Sequence, residues 1–172
     1  GDDNAKRAVI DGVMKSLETG FVYTSHDMSQ DFLDEVYGML GEFFSKTHPE
    51  KEAAKADGTN GQRGYTGLLV ETAAISDVPD WKEMLNWGKD LPKGHPLKKR
   101  YPHRFFDNVF PEELVPGITE TLEMFHDQVL DLQLRFLRII ASGLKASETF
   151  FDSFVPGGAT LTRAINYPAM NL

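Results

Sequence analysis

The sequence predicts an α+β fold: a helical amino-terminal region, one long helix that backs it, and a strand that closes the chain. Three observations carry this reading. Ile118, Leu122, Phe125, Val129, Leu132, Phe136, Ile140 and Leu144 advance by three or four residues, the repeat of one helix face. Two shorter stretches, 4–18 and 30–46, carry the same repeat. The run 161–168, Leu-Thr-Arg-Ala-Ile-Asn-Tyr-Pro, collects β-forming residues and stops at a proline.

The elements follow in order. In 4–18 the apolar face is Val9, Ile10, Val13, Met14 and Leu17, with Asn4 as the expected N-cap and Thr19-Gly20 as the stop. Residues 21–24, Phe-Val-Tyr-Thr, read as a short buried strand. Asp27 or Ser29 is the expected cap of the helix 30–46, whose face is Phe32, Leu33, Val36, Met39, Leu40, Phe43 and Phe44. Gly38 and Gly41 lie inside it, at a cost of roughly 1 kcal/mol each against alanine, and are placed as if to admit a close neighbour or simply to pack. Residues 51–55 are able to add a helical turn, and 57–61 is turn chemistry. From 65 to 72 the chain turns apolar, as a strand or a crossing segment would.

The connection 76–111 is long, with one short helix expected at 81–88. Its aromatic residues, Trp81, Trp87, Tyr101, Phe105, Phe106 and Phe110, are expected to anchor it to the surface. Lys98-Lys99-Arg100 reads most simply as a solvated turn. A thirty-residue helix through 111–144 would rise about 45 Å, making it the scaffold. Gly143 ends it, Ser147 caps a short helix over 148–154, and Pro156-Gly157-Gly158 turns the chain into the closing strand.

Composition narrows the function. At 172 residues the chain makes one domain or a large part of one, with 41% apolar and 26% charged residues, ordinary for a globular protein. No apolar run approaches the roughly 20 residues of a membrane span, and no secretory signal is visible. The net charge of −8, with scattered cations, argues against nucleic acid as a partner. The absence of cysteine removes disulfides, zinc–thiolate sites and cysteine nucleophiles from this stretch, and fits a cytoplasmic protein. The five histidines, at 26, 48, 95, 103 and 126, form no His-x-x-x-His, His-x-His or His-x-Asp pair. His126, beside the stripe, is expected as a surface or partly buried histidine rather than a ligand, and no metal site made wholly by this chain is expected. No nucleophile elbow, phosphate loop or dinucleotide fingerprint follows a predicted strand. On the closing strand Arg163, Ile165 and Tyr167 share one face, which fits either an anion or a wet sheet surface.

The order of segments is nevertheless familiar. It comprises Gly20-Phe21-Val22-Tyr23 after an amphipathic helix, Phe43-Phe44 before Pro49-Glu50-Lys51, Arg63-Gly64-Tyr65 with Glu71, and 81–90 ending Gly-Lys-Asp. Asp107-Asn108-Val109-Phe110-Pro111 leads into the long helix, 144–151 leaves it, and 161–168 closes the chain. Together these span almost the whole chain and resemble the amino-terminal portion of the isopenicillin N synthase-like, non-haem Fe(II)/2-oxoglutarate-dependent oxygenases. The resemblance implies a double-stranded β-helix (jelly-roll) oxygenase whose barrel is incomplete here: residues 1–158 form the helical region and 159–172 the first strand leading to the barrel. It implies oxidation of a small-molecule substrate, by hydroxylation, desaturation or ring closure, coupled to oxidative decarboxylation of 2-oxoglutarate. The cofactors implied are Fe(II) and 2-oxoglutarate.

Two residues match family positions directly: Tyr167 a tyrosine near the cosubstrate, and Arg163 the arginine four residues earlier on the same face. Taken alone, Tyr167 fits a tyrosine packed at a barrel rim equally well. Gln62 and Tyr65 lie where some relatives contact substrate. The departures are Ser25-His26-Asp27 in place of Asn-His-Gly, no first strand before the first helix, and Ile165 where plant relatives often carry asparagine. The family's iron ligands, a His-x-Asp pair and a distant histidine, and its Arg-x-Ser pair for 2-oxoglutarate are expected beyond Leu172, so this stretch alone is not expected to be active. Two rival expectations stand beside this one: an iron oxidase that uses no 2-oxoglutarate, and a non-catalytic binding module.

Overall fold

The computed structural model describes residues 2–72 and 77–170. Its elements are α1 (Asp3–Leu17), α2 (Gln30–Ser45), α3 (His48–Glu52), β1 (Gly64–Thr66), β2 (Glu83–Trp87), α4 (Pro96–Arg100), α5 (Ile118–Gly143), a 3₁₀ turn (Val155–Gly157) and β3 (Thr162–Asn166). The chain gathers into two compact units, Gly1–Ser29 with Asp127–Gly158, and Gln30–His126 with Ala159–Leu172. The closing strand therefore belongs with 30–126 rather than standing apart.

In the first of these, α1 is capped two residues earlier than its apolar face suggests. The Asp2 carboxylate accepts the Asn4 N–H at 3.0 Å, so Asp2 and not Asn4 is the N-cap. Val13 and Ala141 are its buried apolar residues. Gly143 is more than a terminator, because a Cβ there would run into the Met14 side chain. Asp27 pairs with Arg135 at 2.7 Å. Residues 21–24 form no strand, and Phe21 and Tyr23 are 82% and 103% exposed. A β-rich run becomes a strand only where a second chain segment meets its backbone, and among the described residues none does. The expected helix at 148–154 is a series of turns. The N–H groups of Phe150, Asp152 and Phe154 reach back three residues, to the carbonyls of Ser147, Thr149 and Phe151.

The second unit holds the core. On α2, Val36, Leu40 and Phe43 point inward at the expected spacing, while Gly38 and Gly41 face open space, so neither marks a close approach. Helix α3 starts three residues before the expected turn because Thr47 and Glu50 box its end. The Thr47 N–H and hydroxyl both donate to the Glu50 carboxylate, at 2.8 and 2.6 Å.

The sheet runs β1-β2-β3, antiparallel throughout, pairing Tyr65 with Leu85 and Leu85 with Ala164. Strand β2 replaces the helix expected at 81–88. All five of its residues are buried, and a short run buried on both faces shows neither a helical nor an alternating period. It sits between β1 and β3, where both sets of its backbone groups are paired.

Around it the aromatic connection does anchor itself: Trp87 is 1% exposed and donates its indole N–H to the Leu122 carbonyl at 3.0 Å. Trp81 does the same to Pro168 at 2.9 Å. Ser76, the start of that connection, lies outside the described residues. Lys98-Lys99-Arg100 forms the end of α4, with Lys98 paired to Asp90 at 3.0 Å and to Asp107. Leu85, Trp87, Phe43, Ile118 and Leu122 are each 1% exposed or less, and each contributes about 1.5–3 kcal/mol through burial.

Candidate functional site

Strand β3 presents the expected split. Thr162, Ala164 and Asn166 turn toward the sheet's packed side, while Leu161, Arg163, Ile165 and Tyr167 face outward and are exposed. Arg163 is braced by its cross-strand partner, its Nε donating to the Asn86 Oδ1 at 3.1 Å. Asn86, wholly buried, donates in turn to the Gly61 carbonyl at 2.6 Å, which ties the 57–61 turn to β2. Asn60 and Gly61 take the left-handed conformation in that turn, with φ of 52° and 70°. Gln62, next in the chain, is exposed.

Tyr65 is placed differently from these three. It lies on the packed side of the sheet, 2% exposed, with its ring edge-on to Phe43 at 5.7 Å. Its hydroxyl donates to the Glu83 Oε2 at 2.6 Å. Burial first, and then the Glu83 carboxylate, push the Tyr65 phenol up, so it stays protonated. Arg163, Tyr167 and Gln62 are thus outward-facing, whereas Tyr65 is part of the wall behind them.

That wall contains polar residues which the sequence did not single out. Lys51 donates to Glu83 Oε2 at 2.7 Å and to the Phe44 carbonyl at 3.0 Å, and Asn166 donates to Glu83 Oε1 at 2.9 Å. Burial alone would raise the Glu83 carboxyl, but the hydrogen bonds from Lys51, Tyr65 and Asn166 outweigh it and hold the group below its ordinary range. His126 is 3% exposed, deeper than the surface or partly buried position expected, and its ring shares hydrogen bonds with Thr162 at 2.6 Å and Thr160 at 2.9 Å. One signal for it existed: His126 lies four residues after Leu122, on the stripe itself. Glu83 and Lys51 gave none, since a contact across 32 residues has no local pattern.

Arg63 is 2% exposed and gives one N–H to the Gln62 carbonyl at 2.8 Å, while its Nε has no partner among the described residues. Burial pushes its guanidinium below the ordinary value, and Asp90 opposes this.

Iron finds no home in these residues. Among those described, no three His, Cys, Asp or Glu side chains stand close enough to hold a metal ion. A carboxylate ligand fits better, because Arg163 and Tyr167 present a cation and a phenol on one exposed strand face. The first unit has a cavity of about 320 Å³ lined by Lys6, Arg135, Arg138 and Glu148 over Val9 and Ile10. Its cations are already engaged, Lys6 by Glu148, Arg135 by Asp27 and Arg138 by Asp152, so it offers an anion little. No helix among the described residues is long and apolar enough to cross a membrane.

Comparison with known proteins agrees with this architecture. Residues 2–113 match the family described as non-haem dioxygenase in morphine synthesis, N-terminal. A 2-oxoglutarate-Fe(II) type oxidoreductase of Emericella nidulans is 27% identical over 98% of this chain and 49% of its own length. Azadirone synthase of Melia azedarach is 29% identical over 78% of this chain and 40% of its own length. Among solved structures, a 2OG-Fe(II) oxygenase family protein from Caulobacter crescentus superposes with a TM-score of 0.73 at 30% identity, over 84% of this chain and 46% of that one. A full-length Neurospora crassa protein, crystallised with alpha-KG, gives 0.78 at 26% identity over 98% and 51%. The chain thus spans about half the length of the curated relatives it matches. Its α+β fold, with an open three-stranded sheet, is that of an amino-terminal portion of these oxygenases. By the match over 2–113, supported along nearly its whole length by these neighbours, the chain belongs to the non-haem dioxygenase family.

Proposed function

We propose that this chain is the amino-terminal half of a cytoplasmic iron(II)- and 2-oxoglutarate-dependent oxygenase that oxidises a small molecule, by hydroxylation, desaturation or ring closure. The observation that carries the reading is the outward face of β3. An edge strand keeps an arginine and a tyrosine exposed, in a chain that aligns over 98% of its length with half of a 2-oxoglutarate-Fe(II) oxidoreductase.

Each residue has a role in that reading. The Arg163 guanidinium complements a carboxylate of the cosubstrate, and the Asn86 amide fixes its angle of approach. The Tyr167 hydroxyl adds a donor from the same face. Gln62, on the turn tied to β2, faces the substrate, and Tyr65 supports the wall through Glu83. The iron ligands belong to the half of the protein that corresponds to the rest of its relatives. Iron supplies the activation of oxygen there, and the residues of this chain bind and orient. One observation favours the rival oxidase: Ile165, between Arg163 and Tyr167, gives the centre of the face an apolar side chain.

The test is the affinity of the full-length gene product for 2-oxoglutarate, measured by calorimetry with Mn(II) in place of iron. Arg163→Met is expected to weaken binding by about tenfold or more, the loss of roughly 1.4 kcal/mol from a charge-assisted contact, and Tyr167→Phe by a smaller factor. Binding that is unchanged in both variants would remove these residues from the site. No binding by the wild type would favour the oxidase.

A further inference from the structure

Strand β3 is oriented against its own hydrophobicity. Its packed side carries Thr160, Thr162, Ala164 and Asn166, while its outward side carries Leu161, Arg163, Ile165 and Tyr167. Leu161, Ile165 and Tyr167 are 43%, 48% and 62% exposed. A slip of one residue against β2 would exchange the two faces and bury the larger apolar set. Burial within this chain therefore does not select the observed register.

Polar contacts do. The buried His126 ring holds both Thr160 and Thr162 through their hydroxyls, at 2.9 and 2.6 Å. At the other end the Asn166 amide donates to Glu83 Oε1 at 2.9 Å, and Glu83 is itself fixed by Lys51 and Tyr65 through Oε2. Just beyond, the Trp81 indole N–H holds the Pro168 carbonyl at 2.9 Å. A slipped strand would present Leu161 and Ile165 to His126 and Glu83, stripping both of these hydrogen bonds inside the protein. Buried polar groups left without partners are costly.

We infer that His126 and Glu83 are positioning residues: they fix the face of β3, and so keep Arg163 and Tyr167 on the ligand side. Both are buried, His126 at 3% and Glu83 at 2% exposure. The inference rests on the proposed role of that outward face, and the two are separable by experiment.

In the full-length protein, Thr160→Ala, Thr162→Ala and Asn166→Ala together remove the strand's half of the His126 and Glu83 clasps while Lys51, Glu83, Tyr65 and His126 stay in place. The KM for 2-oxoglutarate in substrate-free turnover is expected to rise about tenfold, as in Arg163→Met, with kcat changed less than about threefold. Thr160→Ser with Thr162→Ser keeps both hydroxyls and is expected to restore the wild-type KM. A triple variant with wild-type KM, beside an Arg163→Met that loses affinity, overturns the positioning role and leaves the proposed function intact. Wild-type KM in Arg163→Met and Tyr167→Phe as well overturns both. Should the triple variant fail to fold, Asn166→Ala alone decides: a KM raised about threefold supports the clasp, and an unchanged KM overturns it.

Discussion

Two glycines show how differently the same residue is used. At Gly88 a Cβ would strike the Thr160 carbonyl and come within 2.5 Å of an Arg63 guanidinium nitrogen. Gly38, on the exposed side of α2, has nothing within 4 Å. Gly88→Ala is expected to destabilise the protein by about 1–3 kcal/mol, through overpacking against backbone and a buried cation. Gly38→Ala is expected to stabilise it by about 1 kcal/mol, through helix propensity. Urea denaturation of the two variants checks both signs. The sequence distinguished neither position: Gly38 and Gly41 fitted ordinary packing or a close approach, and Gly88 looked like a helix end. What separates them is the neighbour, and at Gly88 that neighbour is the strand segment around residue 160, which arrives 72 positions later in the chain.

At the scale of elements, the central strand and its polar wall matter most. Glu83 lies on β2, yet it is held by α3 through Lys51, by β1 through Tyr65 and by β3 through Asn166. Lys51→Met leaves the carboxylate buried without its cation and is expected to cost about 3–5 kcal/mol, read from denaturant midpoints. The pH dependence follows from the two shifts. Glu83 is held below its ordinary 4.5, so its contribution is in place above that pH and is lost as pH falls through the lower folded value. Tyr65 is held above its ordinary 10.0, so its contribution is in place below that pH and is lost as pH rises beyond it. Thermal melts across pH should therefore fall at both ends, and Tyr65→Phe should flatten the alkaline one.

The helices were legible because α1, α2 and α5 each bury a single stripe, and a stripe leaves a period in the sequence. Strand β2 was not, because Glu-Met-Leu-Asn-Trp is buried on both faces and alternates nothing. The reverse failure befell 21–24, where β-rich residues have no partner among those described. The site was half legible. Alternation alone put Arg163, Ile165 and Tyr167 on one face, and they are there. It gave no hint that Tyr65 faces the other way, because that depends on which side of the sheet the core fills.

At the scale of the whole molecule, the chain corresponds to about half the length of its relatives. Its second unit forms a real core around β2, and β3 leaves an outward face with exposed apolar and cationic side chains. Among the described residues nothing pairs with the other edge of β3. The relatives are about twice as long as this chain, and the proposed function puts the metal ligands in the part of them that this chain does not span. The measurement that tests this most directly is substrate-free consumption of 2-oxoglutarate by the full-length gene product, followed as succinate formed with and without Fe(II). The account predicts succinate formation that needs iron and slows in Arg163→Met at low 2-oxoglutarate. No succinate in either condition, together with 2-oxoglutarate binding that ignores the metal, would contradict it.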